Sequence, residues 1–426
     1  MSEHILYTEP LLDQQPPASP SHKTGFGLSA FAHWRYLDNG GTRDLRIDFM
    51  RGFVFLILFS THFDYFSLFS MLGWERIWVV TSAETFIFLA GIVTGAVYGK
   101  RFKTEGLSAI ITKLFSRAWS LYKIAFIVAA SVALLHLIPN LNTLAITAYI
   151  DETGKAFPLY PEPDKGFMYN LLYIIFMKSG PHQFQVVGLY MVLFLITPFI
   201  FWAIDVGKVR ILLLLSWAAY LINYFMPETE PGIPEIRLTG AEFEEAFPLV
   251  AWQLLFVHGV IIGYYRKNVV EFFQGVKGRA FVIACFVLSI LFAVFACNQP
   301  ADQIPEWAKL RWMAPETFNW WYQNFFLKYN LGPGRLLNNL ALFVSSYVVL
   351  TVAWKPIDRS MGWLFIPLGQ ESMYVFFMHI YLILLIENTP LPQMHNVWIN
   401  TAIHISMLLT CWFMVKHRFL FRWVPR

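Results

Sequence analysis

The chain has 426 residues, 57% of them hydrophobic and only 14% charged, with a formal charge of +4 and a mean hydropathy of +0.49. A soluble domain is excluded, because one core stops growing at about 250–300 residues and cannot hide this much apolar surface. The small positive excess follows the segments between apolar runs and is no nucleic-acid signal; Cys285, Cys297 and Cys411, without a CxxC spacing, give neither a disulfide framework nor a metal site.

Residues 1–41 include the polar, proline-rich stretch QQPPASPSHKTG. They are expected to form a disordered tail. They lack the charged region followed by an apolar region that marks a cleaved signal peptide. Residues 42–426 are expected to form one membrane domain. Apolar runs near the roughly 20 residues needed to cross a bilayer occur at 50–70, 77–99, 117–138, 184–204, 208–226, 249–266, 279–297, 336–354, 369–387 and 397–416. The expectation is an all-α polytopic protein of about ten transmembrane helices. Lys and Arg concentrate in alternate connecting segments, which predicts that both termini are cytoplasmic. The segments 139–183, 227–248 and 298–335 are then long outer loops. Within the first, Gly166–Lys178 reads as an outer interfacial helix.

Ionisable side chains inside a membrane are costly and point to function. The first run carries Asp48, Arg51 and His62. Asp48 and Arg51 are three apart and can pair on one helix face. Arg51 and His62 are eleven apart, which is about 1100° of helical turn, within roughly 20° of one face, with a rise of about 16 Å. Asp64 falls on another face. Arg51 taken alone also fits a snorkelling anchor. In the second run, Glu84 is expected at a depth similar to His62. A carboxylate on an imidazole would fix its tautomer and raise its basicity, giving a base with an orienting partner. Gly91 and Gly95 form a GxxxG that lets another helix approach closely.

The following segment is basic. Lys113, Arg117 and Lys123 could bind phosphates, or simply set topology. Outside the fourth run stand His182, Gln183 and Gln185, as an acceptor contact or a polar helix start. His258, His379 and His404 lie within later runs, and each alone reads as a structural polar group. No run holds two well-spaced histidines, which disfavours a b-type haem.

The stretches RDLRIDFMRGFVFLILFSTHF, SAETFIFLAGIVTGAVYG and RAWSLY resemble the OpgC-type membrane proteins, relatives of acyltransferase family 3 and the wider transmembrane acyltransferase group. QVVGLYMVLFLITP, AWQLLFVHGVIIGY and LGQESMYVFFMH are also similar, so the likeness runs from about Arg43 to the C-terminus. It implies a membrane O-acyltransferase of the bacterial inner membrane. Such a protein would take an acyl group, succinyl in the usual assignment, from cytoplasmic acyl-CoA to a hydroxyl of a periplasmic glycan such as an osmoregulated glucan. The family's Arg-ten residues-His pattern falls on Arg51 and His62. Its Glu-x-Phe-x-Phe-x-x-Gly element falls on Glu84, Phe86, Phe88 and Gly91, with Ala90 where serine is common. The Arg-x-x-Arg element of the related acyltransferases is absent as such, and Lys113 and Arg117 stand in its neighbourhood.

The expected sites are therefore His62 as general base with Glu84, and Arg51, Lys113 and Arg117 for acyl-CoA. Asp48, His379 and His258 are supporting polar candidates. The expected partners are acyl-CoA, the glycan and the bilayer, with no nucleic acid, no metal and no permanently bound cofactor. A secondary transporter or flippase with a buried Arg/His/Glu pathway is the alternative, although the inverted repeats common in such proteins are not visible.

Overall fold

The structure is a computed structural model. It describes residues 33–37, 43–63, 65–73, 75–150, 156–226, 236–301, 304–391 and 396–424. Most of the expected tail, Asp64 and part of the second outer loop thus lie outside the described residues. The described chain is about 75% helical. Its main helices are α1 (Leu45–His62), α2 (Ser82–His136), α3 (Gln185–Asp205), α4 (Val209–Phe225), α5 (Leu249–Tyr264), α6 (Val276–Ala296), α7 (Pro333–Val352), α8 (Trp354–Gln370), α9 (Ser372–Glu387) and α10 (Val397–Lys416).

Each expected apolar run falls on one of these helices, with runs 77–99 and 117–138 on the two arms of α2. Those arms meet at Gly106, whose φ of 79° breaks the helix and suits a residue without Cβ. At 1.5 Å per residue the arms are about 35 and 45 Å long, each enough to cross a hydrocarbon core. Among the described residues, five helices are long and apolar enough to cross a membrane: α2, α3 with its leading turn from His182, α6, α7 and α10. The number is seven if each bent pair is one span: α5 with Arg266–Gln274, and α8 with α9. Helix α1 carries Arg46, Asp48 and Arg51 within 18 residues, and α4 has 17. Phe167–Ile175 forms a short helix where the interfacial one was expected, with Phe167 and Met168 exposed. The first long connection also contains a small antiparallel hairpin that pairs Ala148 with Pro158 and Tyr149 with Phe157.

Local chemistry sets the helix starts. Asp44 caps α1 by accepting from Arg46 N at 3.1 Å, which satisfies an otherwise orphan amide. Thr81 and Glu84 form a reciprocal capping box on α2. Tyr36, inside the expected tail, instead docks on the body: its N–H donates to Thr351 O at 2.9 Å.

Glycines set the helix spacing. A Cβ at Gly95 would lie 2.0 Å from Val260 O, and one at Gly263 would lie 2.1 Å from Ile92 O. Gly91 and Gly259 meet in the same seam. The expected GxxxG on α2 is thus answered by a second GxxxG on α5. In lipid, helix association rests on such close packing, because tails are as apolar as leucine. Gly52 and Gly369 do the same for α1 and α8: a Cβ on either would stand 1.8 Å from a backbone oxygen of the other helix.

Candidate active site

Helix α1 carries the site along one stripe. At its start are two carboxylates, and each is claimed by an arginine. Asp44 takes a bidentate contact from Arg46 at 2.9 and 2.8 Å. The Arg46 guanidinium is sandwiched between the rings of Tyr36 and Tyr347, 4.1 and 4.3 Å from their centroids. Asp48, 3% exposed, is bound by Arg43 at 2.5 and 2.9 Å. The expected Asp48–Arg51 pair is therefore corrected: the fork of Arg43 occupies both oxygens of Asp48. Arg51 instead donates to the Ser372 hydroxyl. That hydroxyl stands at the first residue of α9, just after the chain bends by 91° from α8.

Arg117 and Tyr190 lie within reach of the Arg51 charge, and Tyr98 within reach of Arg117. Arg51 and Arg117 thus converge from α1 and the second arm of α2, framed by two phenols. This half-buried pair of forked donors suits a multiply charged anion such as a phosphate. Lys113 is placed differently. Its ammonium pairs with Glu105 across the Gly106 bend, and both side chains are more than a third exposed.

Further along the stripe, His62 Nδ1 stands 3.0 Å from His379 Nε2, with the rings 26° from parallel. His379, 0% exposed, also has its Nδ1 2.5 Å from the Phe376 carbonyl. A carbonyl can only accept, so His379 Nδ1 carries the proton and its Nε2 the lone pair. His62 Nδ1–H then donates to that lone pair, which leaves the lone pair of His62 on Nε2; the tautomers follow from the hydrogen-bond network. Among the described residues His62 Nε2 has no hydrogen-bond partner. His182 stands edge-on to His62, with centroids 6.5 Å apart. Its Nδ1 is buried without a partner. Lys328 lies within electrostatic reach of both histidines.

The expected Glu84–His62 pair is also corrected. Both oxygens of Glu84, 0% exposed, are occupied elsewhere. Oε1 accepts from Arg335 Nε at 2.7 Å. Oε2 accepts from Thr81 N at 3.0 Å and from the Thr81 hydroxyl. Arg335, also 0% exposed, donates to Glu75 Oε1 at 2.8 Å and to Phe326 O at 3.0 Å. Tyr322 donates to the other oxygen of Glu75 at 2.8 Å. A buried charge survives only when paired and hydrogen-bonded, and this network meets that condition.

The remaining histidines are tied to neighbours. His258 Nδ1–H donates to Leu254 O at 2.8 Å, and its Nε2 accepts from Trp217 at 3.1 Å. Both nitrogens are spent, so His258 is a structural group. His404 Nδ1 is 2.7 Å from Ser67 Oγ. His379, expected only as a support, is the direct partner of His62. Sequence reasoning missed Ser372, Tyr190, Glu75, Lys328 and Arg335. Only Arg335 left a signal: it opens an apolar helix with no acid within one helical turn on the same helix.

A family model described as OpgC protein matches residues 43–423. No curated protein matches the chain.

Proposed function

The chain belongs to the OpgC family, and from that premise we propose that it transfers an acyl group from acyl-CoA to a glycan hydroxyl, with His62 as the general base. Family membership itself points to a membrane acyltransferase acting in glucan modification. The donor, the succinyl group, the periplasmic acceptor, the inner-membrane location and the ten-span topology with cytoplasmic termini are our reading.

The observation that carries this reading is the histidine chain. Phe376 O, His379 and His62 are linked so that the lone pair of His62 is left on Nε2. A sugar hydroxyl is a poor nucleophile until its proton is removed, and a positioned imidazole does this at neutral pH. His379 orients the ring and accepts a stronger hydrogen bond as His62 becomes imidazolium. Arg51 and Arg117 would hold the phosphates of the donor, with Lys113 a more distant contributor. The pantetheine arm would cover the rise of about 16 Å from Arg51 to His62. The reaction needs no resident cofactor. Glu84 supports the site indirectly, through the network around Arg335.

Mass spectrometry of envelope glycans tests the proposal. Cells carrying the wild-type gene are expected to show an acyl mass increment, and His62→Ala should reduce it by about 10²–10⁴-fold at equal membrane abundance. An undiminished increment in the variant, or none in the wild type, would overturn it.

A further inference from the structure

Lys328 lies in the segment between Pro315–Phe325 and α7. That segment is pinned at two points and closed on itself at a third: Phe326 O accepts from Arg335, Leu331 O accepts from the Tyr220 hydroxyl at 3.0 Å, and within the segment Gly332 N donates to Leu327 O at 3.0 Å. The ammonium stands 5.2 Å from the centre of the Phe247 ring. It lies within electrostatic reach of Glu84, Arg335 and Glu75 and of His62 and His182. Arg335 directly engages Glu84 and Glu75. Among the described residues the Lys328 ammonium has no hydrogen-bond or ion-pair partner. Among the described residues His62 Nε2 and His182 Nδ1 are likewise unpartnered, so two ring nitrogens on histidines 6.5 Å apart and an ammonium within electrostatic reach of both have no protein group to satisfy them.

A cation beside a base is unfavourable by itself, since it opposes protonation of that base. The arrangement becomes favourable only when negative charge develops next to it. Resting on the acyl-transfer reading above, we propose that Lys328 is a further catalytic residue, the cation that stabilises the oxyanion of the tetrahedral intermediate.

The acceptor oxygen bonds to the thioester carbonyl carbon as its proton passes to His62 Nε2. The carbonyl π pair moves onto oxygen, beside the ammonium and the His182 edge. When the C=O bond re-forms, the C–S bond breaks and its electron pair leaves on sulfur. The proton on His62 then neutralises the thiolate. In this step Lys328 acts as a cation and gives up no proton. Burial draws its pKa below the ordinary lysine value, while the carboxylates of Glu84 and Glu75 oppose the fall. A fixed charge of this kind costs no reorganisation as the reaction proceeds.

The test uses the full-length protein in proteoliposomes, with acetyl-CoA and succinyl-CoA as donors and a soluble glucan as acceptor. Lys328→Met is expected to lower kcat by about 10²–10³-fold with both donors and to leave each donor KM near wild type. Lys328→Arg keeps the charge and should retain at least ten times the kcat of the methionine variant. An unchanged kcat in Lys328→Met would overturn the assignment. A loss confined to the KM of succinyl-CoA would replace it with recognition of the donor carboxylate. Equal losses in both variants would reduce Lys328 to a packing role, and if Lys328→Met does not fold, a Lys328→Arg rate below about one-hundredth of wild type has the same meaning. No transfer by the wild type from either donor would remove the proposed function, and this inference with it.

Discussion

His62 and His379 face each other at 3.0 Å although 317 positions separate them in the chain. Their hydrogen bond joins α1 to α9 at the proposed base. Ser372, the partner of Arg51, lies seven residues before His379, on nearly the same face of α9. One face of α9 therefore serves both ends of the stripe on α1.

Replacing His379 separates orientation from packing. His379→Gln keeps an acceptor for His62 Nδ1–H and should retain more activity than His379→Ala. We expect kcat to fall by about tenfold in the first and about 100-fold in the second, within the range of a base whose orientation is lost. Steady-state acyl transfer at matched protein levels measures both. Equal rates for alanine and wild type would dismiss the relay.

The buried network predicts a stability effect. Arg335→Ala strands the carboxylates of Glu84 and Glu75, and loss of one partner of a buried pair costs about 3–5 kcal/mol. Thermal unfolding in detergent should show a large drop. Glu84→Gln keeps the Thr81 contacts and should cost less. Its folded fraction should lose far less activity than His62→Ala, because Glu84 does not touch His62 and the Glu75 carboxylate still acts on Lys328. A loss of kcat as large as that of His62→Ala would show the opposite.

The donor end separates its three cations. Arg51→Ala and Arg117→Ala should each raise the acyl-CoA KM by about 10- to 150-fold, as expected when a charge-assisted hydrogen bond of about 1.5–3 kcal/mol is removed. Lys113→Ala should change KM little, since exposed ion pairs contribute about 0–1 kcal/mol. Initial rates over a range of donor concentration decide it.

Glu242 gives a pH prediction. It lines a small cavity with Ser179, Phe184 and Gln185, and Gln185 donates to its Oε1 at 2.6 Å. Burial pushes its pKa up to about 8. A carboxyl whose folded pKa is raised binds its proton more tightly when folded, so stability is greatest below the unfolded pKa of about 4.3. It declines as pH rises towards 8, by up to about 1.4 kcal/mol per unit, and is flat beyond. Glu242→Gln is neutral at every pH and should remove this slope. Melting temperatures between pH 5 and pH 9 would test it, and parallel curves for the two proteins would refute it.

The stripe on α1 was legible because helical geometry alone puts Arg51 and His62 on one face. The apolar runs were legible for a similar reason, since each became a helix. The partners were not. Ser372, His379 and Arg335 sit 321, 317 and 251 positions from the residues that they bind, and no local pattern encodes such a meeting. Glu84 shows the hazard directly: matched depth suggested His62, but depth does not fix the direction in which a side chain points. The GxxxG on α2 was readable as a motif, but its partner on α5 emerged only when both helices could be compared.

The tight crossing at Gly52 and Gly369 has one more consequence. Arg51 and His62 ride on a single helix that is locked at its base against α8, so the distance between them is that of a rigid ruler. On the proposed reading, a donor whose charged head rests at Arg51 must bring its reactive carbon to a mark set by the same helix. Chain length in the donor would then be read as mechanically as charge, and a shortened thioester would fall short of His62 however well its head group binds.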